Sequence, residues 1–137
     1  MKDRCELTVP ASKEQIPVIS EFIADLMAPA GFDIKKILEV QLAAEEACTN
    51  IALYAYPNSE GCINIAIEIA DDRLELTIAD NGASFDPTAK KVAVSTADVE
   101  HRQIGGLGII LIGATVDKFS YEFKDGKNVL RLIKNRA

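Results

Sequence analysis

The chain has 137 residues, 48% hydrophobic and 26% charged, a composition that excludes a disordered segment and a length that suits one domain spanning 1–137. Fifteen Lys and Arg against 21 Asp and Glu give a formal net charge of -6 with no dense basic cluster, so no direct nucleic-acid partner is expected. The longest uncharged apolar stretch, 104–116, holds four glycines and is too short to span a bilayer, and no uninterrupted apolar run follows the N-terminal Met-Lys-Asp-Arg-Cys-Glu. A cytoplasmic location without membrane contact is therefore expected.

Cys5, Leu7 and Val9 alternate with Glu6 and Thr8, the period of a half-buried strand, and Pro10 closes the run. Ser12 with Gln15 resembles a capping box, and Ile16, Ile19, Phe22, Ile23 and Leu26 follow at helical spacing, with Pro17 near the start. Pro29 and Gly31 end that helix, and Asp33 is placed to cap a second one running to about Tyr54. Ile63, Ile65, Ile67 and Ile69 predict a strand that turns through Asp71-Asp72 into another at Leu74, Leu76 and Ile78. Between Asp86 and Gly106 periodicity fails, predicting a long loop before a short helix at 107–114. Phe119, Tyr121 and Phe123 then alternate with polar residues, and Asp125-Gly126 is a tight-turn signal leading into a last strand at 128–133. The expected fold class is α/β in two layers, a mixed sheet with helices packed on one face.

Cys5, Cys48 and Cys62 lack the paired spacing of zinc or disulfide frameworks and are expected as reduced thiols, and His101 has no nearby partner for a metal.

Three places carry chemistry. On the otherwise apolar second helix, Glu46 and Asn50 lie four residues apart and so emerge on one face, where a carboxylate beside a carboxamide oxygen suits Mg²⁺; a solvated helix edge has the same spacing. Asp80-Asn81-Gly82 follows a strand, as a simple turn would, yet a carboxylate there can accept from an exocyclic amine while Gly82 admits a flat ring close to the backbone. Gly105-Gly106-Leu107-Gly108 enters a helix, where free backbone N–H groups favour phosphate or merely form a hinge. The spacing matches neither the Walker loop nor the dinucleotide fingerprint.

The order of these three segments resembles the GHKL (Bergerat-fold) ATPase superfamily, and within it the anti-sigma-factor serine/threonine-protein kinases. The resemblance runs from Glu45-Glu46-Ala47-Cys48-Thr49-Asn50 through Asp80-Asn81-Gly82-Ala83-Ser84-Phe85-Asp86-Pro87 to Gly105-Gly106-Leu107-Gly108-Ile109, and continues through Val116-Asp117 and Lys127-Asn128-Val129-Leu130. It implies a Bergerat fold, ATP and Mg²⁺ as cofactors, and a kinase acting on a serine of a STAS-type anti-anti-sigma protein. It further implies a sigma-factor partner and a homodimer. By the same resemblance Glu46 is the general base, Asn50 the Mg²⁺ ligand and Asp80 with Gly82 the adenine contact. Gly105, Gly106, Leu107 and Gly108 line the phosphate site, and 86–104 form a lid. Two positions depart from the family pattern: Tyr54 stands where many relatives have His, and Gly113 where they often have Arg, leaving Lys90, Lys91 and Arg102 as candidate phosphate cations. A non-catalytic ATP-dependent regulatory binding protein of the same fold is the alternative; a detached histidine-kinase catalytic domain would lack its phosphoacceptor helix.

Overall fold

The computed structural model describes residues 3–56, 60–82 and 112–136. Strand β1 (Asp3–Pro10) leads through a 3₁₀ turn at Lys13–Gln15 into helix α1 (Ile16–Met27), and helix α2 (Ile34–Asn50) follows. Ser12 makes no side-chain cap bond, so the capping box does not form. The cause is Pro17: a helix starting behind Ser12 would bury its ring in the interior, whereas a start at Ile16 leaves it in the first turn, where its missing N–H costs nothing. Asp33 does cap α2, its carboxylate accepting from the Lys36 N–H at 2.9 Å. Between the helices Gly31 takes φ +92°, and Phe32 N–H returns to Met27 O at 3.2 Å, the closing pattern of a glycine-ended helix.

Beyond Asn50 the expected α-helix does not continue to Tyr54; Ile51–Ala55 form a π-helical turn. Strands β2 (Cys62–Ile69), β3 (Arg73–Asp80), β4 (Lys118–Lys124) and β5 (Lys127–Asn135) complete a five-stranded sheet in the order β1-β2-β3-β5-β4. Asp125 and Gly126, at φ 54° and 75°, make the expected tight turn of the β4–β5 hairpin. The two-layer α/β arrangement is as expected, but the sheet is not mixed: all the pairings among described strands are antiparallel. Two of them are hairpins, which admit no other sense, and two helices between β1 and β2 return the chain reversed where a single crossover helix would return it parallel. The helical turn at 112–115 overlaps the end of the predicted short helix. The predicted loop and lid, with Lys90, Lys91 and Arg102, and the Gly105-Gly106-Leu107-Gly108 segment lie outside the described residues.

The helices cover one sheet face. Ala43, Ala44, Ala47 and Cys48, all buried, give α2 a small-residue side that shares one core with Ile63, Ile65, Leu76 and Ile78. At the far end of the molecule Arg136 staples three segments. Its guanidinium donates to Ala30 O at 2.5 Å, Asp71 O at 2.8 Å and Ala70 O at 3.2 Å, and lies 4.4 Å from the Phe32 ring centroid. Arg136→Ala should destabilise the protein by about 1–3 kcal/mol in urea unfolding while leaving nucleotide affinity unchanged. Arg136→Lys should recover only part of that loss, because an ammonium cannot fork to three carbonyls.

Candidate functional site

Alternation sends Leu74, Leu76, Ile78 and Asp80 of β3, and Asn128, Leu130, Leu132 and Lys134 of β5, toward the helices. The register sets Asp80 opposite Asn128, so the apolar layer ends in two buried polar side chains. Asn128 Nδ2 donates to Asp80 Oδ1 at 3.0 Å, and the Gly82 N–H donates to the same oxygen at 2.8 Å. Tyr121 on β4 donates its hydroxyl to Asn128 Oδ1, which fixes the carboxamide with its amino group toward Asp80. Oδ1 is thereby saturated, while Asp80 Oδ2 has no protein partner among the described residues and remains an acceptor. Burial pushes the Asp80 carboxyl above its ordinary pKa, and the bonds from Asn128 and Gly82 oppose that shift without cancelling it.

The turn behind Asp80 is held by two close approaches. A Cβ on Gly82 would lie 2.3 Å from Ala55 O, and one on Gly61 would lie 2.1 Å from the Tyr56 ring, so both positions need a hydrogen there. Tyr56 itself accepts from the Asn81 N–H at 2.8 Å and donates to Cys62 O at 2.9 Å. One phenol thus ties the end of the π-helical turn to β2 and to the Asp80-Asn81-Gly82 turn.

Asn50, Tyr54, Ala55, Ile78, Asp80 and Asn128 are among the residues lining one cleft, mostly apolar with a few polar groups converging on it. Asn50 is 5% exposed and its Oδ1 makes no hydrogen bond among the described residues, an orphan that costs free energy unless a ligand satisfies it. A carboxamide oxygen is a donor Mg²⁺ accepts, so this residue fits the metal that the resemblance implies. Among the described residues no group of three or more His, Cys, Asp or Glu could hold a metal ion, but Mg²⁺ bound through one protein oxygen, phosphates and water needs no such cage. The two neighbouring glutamates separate cleanly. Glu45 accepts from Ser20 Oγ of α1 at 2.5 Å and serves helix packing, whereas half-buried Glu46 has no protein partner among the described residues.

The structure therefore brings Asn50, Asp80 and Gly82 together, with Glu46 one turn back along α2 and outside the cleft lining. Tyr121 and Tyr56 had no assigned role in the sequence, and Asn128 entered only within the Lys127-Asn128-Val129-Leu130 stretch, without a role of its own. The available signal for Asn128 was an inward-facing polar position in an alternating strand, as it is for Asp80.

The histidine kinase-like ATPase domain family matches residues 9–134. Proteins named serine-protein kinase RsbW from Bacillus cereus strain G9842 and from Bacillus thuringiensis subsp. konkukian are each 36% identical over 132 residues, covering 93% of this chain and 82% of theirs. A crystal structure of the RsbU and RsbW domains of a Mycobacterium tuberculosis protein superposes with a TM-score of 0.71 at 17% identity, over 98% of this chain and a third (33%) of that longer one. That likeness shows the fold. The chain belongs to the histidine kinase-like ATPase domain family and, within it, to the ATP-dependent serine-protein kinases.

Because the Asp80 carboxyl is raised, the wild-type protein loses stability as pH rises above the ordinary carboxylate range, and the loss is complete once pH passes the raised pKa. Asp80→Asn removes that charge and keeps an acceptor for Gly82 and Asn128. At pH 7 the apo variant should melt above wild type, the gap closing as pH falls. If Asp80 Oδ2 accepts the nucleotide's amine, the variant's affinity should drop by about 1–3 kcal/mol in calorimetry, because an amide NH₂ then replaces or competes with that acceptor.

Proposed function

We propose that this chain acts as one cytoplasmic domain and homodimer, an anti-sigma factor that binds a sigma factor and phosphorylates a serine of a STAS-type anti-anti-sigma protein with Mg-ATP. The supporting observation is the pairing, in one cleft, of a buried carboxamide oxygen on Asn50 and a carboxylate oxygen on Asp80, both without a partner among the described residues. No helix among the described residues is long and apolar enough to cross a membrane.

In this reading Asp80 Oδ2 accepts the adenine amine, with Gly82 beside the ring. Asn50 holds Mg²⁺, which when bound offsets charge on the triphosphate. The N–H groups of Gly105, Gly106, Leu107 and Gly108 receive the phosphates, joined by Lys90, Lys91 or Arg102. Glu46 takes the proton from the serine Oγ as that oxygen bonds to the γ-phosphorus and ADP leaves. Glu46 suits this task because Glu45, not Glu46, is committed to helix packing.

Incubation with labelled ATP and a purified STAS-type protein should give acid-stable label on serine. Glu46→Gln should retain nucleotide binding and lower transfer by roughly 10²–10⁴, the range of a lost general base. Transfer at the wild-type rate would remove Glu46 from the chemistry, and partner binding without any transfer by wild type would favour a nucleotide-dependent binder instead.

A further inference from the structure

The outer face of α2 departs from the pattern of a surface helix, which places polar residues toward solvent. Residues four apart form a ridge along a helix, and here one ridge is Ile34, Leu38, Leu42, Glu46 and Asn50. It slants from solvent into the cleft: Ile34 is 70% exposed, Leu38 57% and Leu42 36%, Glu46 is half-buried and Asn50 is 5% exposed. Lys35 flanks the apolar stripe on one side, and on the other Gln41 and Glu45 are bonded to Ser20, so α1 borders the stripe there.

The chemistry at the end of the ridge determines what covers it. A protein that presents a serine to Glu46 must lay its surface over Glu46, and Leu42 lies one turn away, about 6 Å along the axis. A standard interface covers about 800 Å² on each partner, far more than the patch around one side chain, so it reaches Leu42 and Leu38 as well. A second copy paired through this ridge would instead shut Glu46 away from any serine. We propose that Ile34, Leu38 and Leu42 form the docking ridge for the protein substrate, which carries an apolar patch about 6–18 Å from its acceptor serine. This inference rests on the kinase reading.

The test uses the full chain, a purified STAS-type anti-anti-sigma protein and ATP. Leu38→Ser and Leu42→Ser, singly and together, should raise KM for the protein substrate tenfold or more while leaving kcat, affinity for a non-hydrolysable ATP analogue and the circular-dichroism spectrum unchanged. Leu38→Met should restore the wild-type KM. An unchanged KM in the folded variants overturns the ridge and leaves the kinase intact. Variants that change the oligomeric state in light scattering overturn it by assigning the ridge to a second copy. If wild type transfers no phosphate, the kinase reading fails, and a benzophenone side chain at position 38 decides the ridge separately. Cross-linking to the same STAS-type protein upholds docking, and its absence overturns it.

Discussion

The register between β3 and β5 is the constraint on which the site depends. Side chains alternate along a strand, so a slip of one residue would turn Asp80 and Asn128 to the opposite face and bring Ala79 and Val129 under the helices. The hydrophobic pattern forbids that slip. Leu74, Leu76 and Ile78 on one strand and Leu130 and Leu132 on the other are buried together, and exposing them would cost far more than any polar pair at the strand end recovers. The core thus holds the carboxylate in a place that the carboxylate itself disfavours.

The same opposition between packing and polarity recurs around the cleft. Asn50, Asp80 and Asn128 are all buried, yet only the last two satisfy each other. A domain selected for stability alone would have apolar residues at these positions; retaining the polar ones makes sense when a ligand supplies the missing partners. Lys134 shows the contrasting case of a buried charge fully engaged. Its ammonium meets Glu39 of α2 at 2.9 Å and donates to Thr115 O at 2.7 Å, joining α2 to the turn that carries Ile112 into the cleft wall.

Local signals were legible from the residues alone. Asp33 caps because its acceptor reaches an N–H three residues away, and Asp125-Gly126 turns because both residues tolerate positive φ. The Asp80 and Gly82 pairing was legible for the same reason, being two residues apart. What depended on distant chain was not. Asn128 is 48 residues from Asp80 and Tyr56 is 25 from Asn81, and only strand order and the π-helical turn bring them into contact. The capping box at Ser12 had the right letters, and the stiffness of Pro17 overruled it. The antiparallel sense of the sheet followed from counting helices between strands, which spacing along a single element does not register.

The burial of Cys48 has a practical consequence. Apolar surroundings, with the charges of Asp80 and Glu45 adding to them, push its thiol up to about 12, so almost no thiolate exists near neutrality and alkylating reagents should pass it by. Cys62 is exposed, and its carbonyl accepts the hydrogen bond from the same Tyr56 that braces the Asp80-Asn81-Gly82 turn. A fluorophore attached there would sit beside the Tyr56 brace without replacing any group that lines the cleft, making the native thiol an attachment point for watching that turn respond to ligand.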